Sequence, residues 1–235
     1  MKKMKAADFS DIPEDLAEKR ARMLTRDLAG RDIGDQAVLD AMGLVPRHEF
    51  VSPMLRHAAY DDSPLRIGGG QTISQPYIVA FMTQSLKVKP GMKILEIGTG
   101  SGYQAAVLAA MNAEVFTIER HEDLSDAAEV VLDRIDLGDR ITLRVDDGTL
   151  GWPEEAPFDR ILVTAAGPKI PEPLFQQLAE GGRLVMPVGG ERDNQQLFVI
   201  EKRNGQAMES AVLDVVFVPL IGKEGFGRER GSTGG

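Results

Sequence analysis

The chain has 235 residues, 43% apolar and 27% charged, which is enough for one α/β domain with a full core or for two small ones. Its net charge of −9 weighs against tight non-specific binding to a phosphate backbone, and no apolar run approaches the roughly 20 residues of a membrane span. Cysteine is absent, which excludes disulfides, thiolate metal sites and a cysteine nucleophile.

The basic start, Met1 to Lys5, is not followed by an apolar segment, so no signal peptide is expected and the chain reads as cytoplasmic. From Pro13 to about Gly30 the sequence is charged with a helical stripe of Leu16, Met23, Leu24 and Leu28. A second helix is expected from Asp35 to Met42, stopped by Gly43 with Pro46 beyond. Turn signals follow at Asp61-Asp62-Ser63-Pro64 and Gly68-Gly69-Gly70. A third helix is expected to start with Ser74 as N-cap and Pro76 in its first turn, carrying Ile78, Phe81, Met82 and Leu86.

From Lys89 the pattern alternates. Strands are predicted at Lys93–Ile97, Glu114–Glu119, Ile141–Val145, Arg160–Ala165 and Arg183–Pro187, with helices near Tyr103–Met111, Asp123–Ile135 and Pro173–Ala179. Such alternation predicts an α/β fold with a doubly wound, mostly parallel sheet. Gln196–Glu201 and Ala211–Val218 have no helix between them, so they are expected as an antiparallel hairpin at the sheet's end, turning near Asn204-Gly205. The expected organisation is an N-terminal helical and loop segment over 1–74, a cofactor-binding domain over 75–221, and a disordered glycine-rich tail over 222–235. Met54, Met82, Met111 and Met186 are expected in the core. His48, His57 and His121 have no metal-ligand spacing and are expected at the surface or in loop packing.

The most informative segment is Ile94-Leu95-Glu96-Ile97-Gly98-Thr99-Gly100-Ser101-Gly102-Tyr103, a buried strand running into three alternate glycines and a helix. Glycine is needed where backbone turns sharply against a ligand. About 20 residues on, Glu119 ends the next strand, where a carboxylate can accept the hydroxyls of an adenosine ribose. A dinucleotide fingerprint wants Gly or Ala where Tyr103 stands, and Glu96 would repel a pyrophosphate. The same carboxylate suits the ammonium of a methionine moiety, so the spacing favours S-adenosyl-L-methionine, with S-adenosyl-L-homocysteine as product. Asp146-Asp147-Gly148 follows the third of these strands, and either contacts adenine through Asp147 and Gly148 or is a plain Asp-Gly turn.

Gly70-Gln71-Thr72-Ile73-Ser74-Gln75-Pro76 closely resembles the G-Q-T-I-S-x-P segment of the protein-L-isoaspartate O-methyltransferases. Pro46-Arg47-His48-Glu49-Phe50-Val51, Val163-Thr164-Ala165-Ala166, Gly181 to Gly189 and Phe217-Val218-Pro219-Leu220 match further family segments in order. The resemblance spans about Val38 to Leu220 and implies a class I S-adenosylmethionine-dependent fold of the seven-stranded type. It implies methylation of the free carboxylate of L-isoaspartyl, and usually D-aspartyl, residues in damaged proteins or peptides. The family's catalytic serine falls on Ser74. The substrate side falls on Gln71, Thr72, Ile73, Val218, Pro219 and Leu220. The cofactor side falls on Glu96, Gly98, Thr99, Gly100, Ser101, Gly102, Glu119, Arg120, Asp147, Gly148 and Thr164.

The acceptor is an anion at pH 7, so no strong base is required and Ser74 reads as a positioning hydroxyl, a helix N-cap, or both. The expected site is an open cleft between the Gly68–Pro76 loop and the carboxyl edge of the sheet, with a peptide held by edge pairing near Phe217–Leu220. Without the G-Q-T-I-S segment, a methyltransferase with a small-molecule acceptor would fit. A nucleic-acid acceptor is opposed by the lack of an N/D-P-P-Y segment and of cysteine and by the acidic balance. A non-catalytic member that binds damaged chains or a partner protein is opposed by the intact loop, Glu119 and Ser74. No heptad or apolar repeat marks an assembly surface, so a monomer is expected, with neither nucleic acid nor membrane as partner.

Overall fold

The computed structural model describes residues 12–191 and 193–227. Its centre is a seven-stranded sheet in the order β5-β4-β3-β6-β7-β8-β9. The strands are β3 (Lys93–Ile97), β4 (Glu114–Glu119), β5 (Ile141–Val145), β6 (Phe158–Val163), β7 (Leu178–Val188), β8 (Gln195–Arg203) and β9 (Gln206–Val215). Pairing is parallel from β5 to β7 and antiparallel from β7 to β9. The chain leaves β3 toward β4 and β5, then returns to the other side of β3 for β6. This reversal opens a crevice beyond the carboxyl ends of β3 and β6, where ligands of open α/β sheets bind.

Residue alternation divides the sheet into two apolar faces. Ile94, Val115, Leu162 and Val185 join a large cluster with the helices α1 (Glu14–Arg22), α2 (Gln36–Leu44), α3 (Pro76–Leu86), α4 (Tyr103–Ala110) and α5 (Glu122–Arg134). Leu95, Ile97, Phe116, Ile118, Ile161 and Val163 face a smaller cluster closed by Leu174 of α6 (Glu172–Gln177). The N-terminal helices thus share a core with the sheet. No helix among the described residues is long and apolar enough to cross a membrane.

Several expectations needed correction. The first helical stretch is not uniform: after α1 the chain widens into a π-helix over Met23–Ala29. Met23 and Leu28, five residues apart, are both fully buried, a spacing that i→i+5 geometry serves better than 3.6 residues per turn. Gly43 does not stop α2, which runs on to Leu44; a Cβ there would stand 3.3 Å from Leu24 Cδ1, so its role is close packing. The last strand lies earlier than expected because β9 is an exposed edge strand without clear alternation. Met54 is 82% exposed rather than core, whereas Met82, Met111 and Met186 are buried. A short hairpin, β1 (Leu65–Gly68) and β2 (Gln71–Ile73), is built around the triple glycine.

The tail is partly fixed. The Lys223 amide donates to Asp147 Oδ2 at 2.8 Å, the Glu224 amide to Thr149 Oγ1 at 3.1 Å, and the Phe226 amide to the Leu220 carbonyl at 2.8 Å. Composition suggested disorder, but composition does not reveal acceptors supplied from 75 residues away. The remainder of that predicted tail, 228–235, lies outside the described residues.

Candidate active site

A cleft of about 1500 Å³ opens at the carboxyl edge of the sheet. One wall is the β1–β2 hairpin and its continuation, Gly68 to Gln75. The floor is the loop after β3, and the far wall comprises Glu119, Gly148, Thr164 and Asp214 to Ile221.

The glycine loop is shaped by direct backbone contacts. Gly98 has φ +97°, and a Cβ there would come 2.4 Å from Thr164 Oγ1, which donates to the carbonyls of Ile97 and Gly98 at 3.0 and 2.7 Å. Thr164 therefore ties the ends of β3 and β6 together at the crevice. Gly102, also expected at the cofactor, is buried at the start of α4 with φ +84°. Its missing Cβ lets Ala128 of α5 approach, so it serves packing and does not line the cleft.

Glu119 lies at the tip of β4 and is only 5% exposed, with both carboxylate oxygens engaged. Oε2 accepts from the Gly100 amide at 2.9 Å; Oε1 accepts from the amides of Arg120 and His121 at 2.8 and 3.0 Å. A carboxylate has about four acceptor sites, so one conventional site remains. One further donor, such as a ribose hydroxyl, fits without rearrangement, and a second requires one of the three amides to give way.

Glu96 lies beneath the loop, not on the cleft surface, on the face of β3 that also carries Ile94. Its Oε2 accepts from the Thr117 hydroxyl at 2.6 Å, and Thr117 bonds Thr99 Oγ1 at 2.7 Å. Oε1 is buried without a partner, and burial pushes the carboxyl pKa up to about 8. An unpartnered carboxyl oxygen beneath a glycine cradle fits a cationic ligand group such as an ammonium, whose arrival would displace the proton that burial retains.

Asp147 is absent from the cleft lining. Its Oδ1 accepts from the Thr149 amide and hydroxyl at 2.9 and 2.7 Å, while Oδ2 takes Lys223. Burial opposes its charge, yet these hydrogen bonds hold its pKa below the usual carboxylate value. Of the two readings of Asp146-Asp147-Gly148, the local turn and cap describe Asp147, while buried Gly148 does reach the cleft.

On the opposite wall stand Gln71, Thr72, Ile73 and Ser74. Ser74 is not the N-cap of α3. That position is Gln75, which makes no side-chain cap bond, and Pro76 is the first helical residue. Asp62 caps instead from another loop: Oδ1 accepts from the Tyr77 amide at 3.1 Å and Oδ2 from Gln75 Nε2 at 2.7 Å. Among the described residues the Ser74 hydroxyl makes no protein hydrogen bond, so it is available to a ligand.

Val218, Pro219 and Leu220 line the cleft, but their outer backbone is largely used internally. The Ala166 amide donates to the Val218 carbonyl at 2.8 Å and the Leu220 amide to the Ala166 carbonyl at 2.7 Å, while Gln195 takes both backbone groups of Phe217. Edge pairing with a peptide along Phe217–Leu220 therefore lacks free partners at those atoms. Arg120 is exposed at the rim, while Thr99, Ser101 and Gly100 line the floor. No cluster of potential metal ligands occurs among the described residues. Sequence reasoning assigned no role to the buried Arg47 and Tyr103; for Arg47 the available signal was its place in the Pro46–Val51 family segment.

The family model described as protein-L-isoaspartate(D-aspartate) O-methyltransferase matches residues 18–225. The protein-L-isoaspartate O-methyltransferase 1 of Syntrophobacter fumaroxidans is 55% identical over 207 residues, covering 88% of this chain and 96% of the relative. A solved protein-L-isoaspartate O-methyltransferase structure superposes with a TM-score of 0.78 at 28% identity, covering 88% of this chain and 67% of that one. A Plasmodium falciparum chain described as a member of the same enzyme group, in complex with S-adenosyl-L-homocysteine, superposes with a TM-score of 0.74 at 30% identity, covering 85% and 97%. Fold, site architecture and these likenesses agree: the chain belongs to the protein-L-isoaspartate(D-aspartate) O-methyltransferase family.

Proposed function

We propose that this enzyme methylates the free carboxylate of L-isoaspartyl, and also D-aspartyl, residues in damaged proteins and peptides, and that Ser74 and the glycine loop are the two sides of its site. The observation that carries the reading is the free Ser74 hydroxyl facing the glycine loop across one open cleft. An open cleft admits a polypeptide segment, whereas a small-molecule site is commonly more enclosed.

When bound, S-adenosyl-L-methionine supplies a methyl group on a sulfonium centre. Glu119, the Gly98–Ser101 loop, Gly148 and Thr164 are the residues that would hold it, with Glu96 beneath. The acceptor carboxylate is already ionised at neutral pH, so the chain needs no general base. Ser74 donates a hydrogen bond that fixes one carboxylate oxygen, leaving the other to react. Orientation of this kind can supply roughly 7–11 kcal/mol, far more than a single hydrogen bond contributes to ground-state binding. The Gln71–Ile73 strand and the Val218–Leu220 side chains flank the peptide. The methyl ester is a better electrophile than the carboxylate, so the neighbouring amide nitrogen attacks its carbonyl and expels methanol, closing a succinimide that water reopens partly as normal aspartate.

The absence of cysteine and of membrane-spanning helices among the described residues supports a cytoplasmic site of action, and the acidic balance supports polypeptide over nucleic acid as partner. No apolar repeat suggests self-association, which favours a monomer.

The test is transfer of labelled methyl to two peptides that differ only in isoaspartyl versus aspartyl at one position. Base-labile label on the isoaspartyl peptide alone is the expected result. No label on either peptide, with cofactor bound, would overturn the reading.

A further inference from the structure

Arg47 is fully buried, and its guanidinium is incompletely satisfied. Nε donates to the Ala59 carbonyl at 2.7 Å and Nη2 to the Ser74 carbonyl at 2.7 Å, while Nη1 has no partner. The guanidinium carbon stands 4.7 Å from the centroid of the Tyr103 ring, and the Tyr103 hydroxyl is also buried without a partner. Tyr103 lines the cleft. No carboxylate among the described residues forms an ion pair with Arg47. The neutral Tyr103 and Tyr60 hydroxyls beside it favour its charge against burial, and Asp62, a weaker influence through space, already serves Arg31, Gln75 and the Tyr77 amide.

A buried cation without an anion is strongly unfavourable, because the lost hydration is not replaced. Clamping two carbonyls does not require a charge; a neutral donor would do it. What the charge adds is a positive potential in a poorly screened region directly behind Ser74. An anion bound at Ser74 would be the missing counter-charge.

We propose that Arg47 is the positioning and selecting residue of the acceptor side: it fixes the Ser74 backbone and, acting through Ser74 and Tyr103, makes the cleft prefer an ionised carboxylate over a neutral group of the same shape. The proposal rests on the isoaspartyl reading, and the test separates the two. Dissociation constants are measured, with saturating S-adenosyl-L-homocysteine, for an isoaspartyl peptide and for its isoasparaginyl counterpart, whose carboxamide is neutral and nearly isosteric. Wild-type protein should favour the carboxylate peptide. Arg47→Met should lose about tenfold or more of that preference, mostly by weakening the carboxylate peptide. Arg47→Lys, which keeps the charge but not the fork, should retain most of it.

Parallel weakening of both peptides in Arg47→Met would mean a purely structural clamp and would overturn the proposal. Should Arg47→Met fail to fold, as judged by loss of S-adenosyl-L-homocysteine binding, Arg47→Lys decides: retained preference supports the charge, and lost preference in a folded protein refutes it. Equal wild-type affinity for both peptides would refute the selection while leaving the isoaspartyl reading intact. Wild-type binding to neither peptide would remove both.

Discussion

The Gly100 amide donates to Glu119 Oε2 at 2.9 Å, so the glycine loop is anchored to the tip of the neighbouring strand by the same carboxylate that faces the cleft. Glu119→Gln should therefore do two things. It removes the charge that three backbone amides point at, and it turns an NH2 group toward at least one of them. Charge-assisted hydrogen bonds contribute about 1.5–3 kcal/mol each, so affinity for S-adenosyl-L-homocysteine should fall about 10- to 100-fold. Isothermal titration would measure it, and unchanged affinity would mean that Glu119 only shapes the turn.

Ser74→Ala separates positioning from capping. Replacing a true N-cap costs about 1 kcal/mol, but Asp62 performs that role for α3, so the thermal midpoint of Ser74→Ala should stay near wild type. Its kcat on an isoaspartyl peptide should drop about 10- to 100-fold, corresponding to loss of one hydrogen bond to a charged group. Asp62→Ala should show the converse, losing about 1 kcal/mol of stability by denaturant titration. A stability loss in Ser74→Ala as large as that in Asp62→Ala would contradict this division.

The contrast shows what could be read in advance. β3 and β4 were legible to the residue because buried parallel strands are apolar-rich runs bounded by turn residues, and the edge strand β5 because its apolar and polar residues alternate. The glycine loop, Glu119 and the G-Q-T-I-S segment were legible because their chemistry depends on local spacing. Partnerships formed across the fold were hidden. Ser74 followed by Gln75-Pro76 looks like a capping start, and only the arrival of Asp62 from another loop displaces it. Asp147 looks like a ligand contact until the 223–224 amides occupy it. Nothing near Arg47 in the sequence shows that α4 brings Tyr103 across it.

Asp147→Asn tests that second partnership. If Asp147 is a cap and tail anchor, the substitution should speed amide hydrogen exchange at Thr149, Lys223 and Glu224, while cofactor affinity changes far less than in Glu119→Gln. Because the folded-state pKa of Asp147 is depressed, its contribution to stability is present above its unfolded value and is lost as pH falls through the folded value. The variant should therefore differ most from wild type near neutral pH and converge with it in acid. A cofactor defect equal to that of Glu119→Gln would restore Asp147 to the adenine site.

Glu96 gives the opposite pH signature. Burial raises its pKa from the usual 4.5 to about 8, so the folded protein retains a proton that the unfolded chain releases between those values. The contribution of this group is fully present below the unfolded pKa and is lost as pH rises through the folded one, with a slope approaching about 1.4 kcal/mol per pH unit. Glu96→Gln preserves the shape and cannot ionise. The stability difference between variant and wild type, measured without cofactor by denaturant titration from pH 5 to 8, should grow with pH in favour of Glu96→Gln. Taking that difference removes opposing groups such as His48, whose pKa is lowered by burial. If the unpartnered Oε1 receives a cationic group of the cofactor, binding must expel the retained proton. Calorimetry at pH 7 in buffers of different ionisation enthalpy should then report proton release for wild type and none for Glu96→Gln. A flat stability difference across the range would show that Glu96 is already ionised in the fold, with a donor at Oε1.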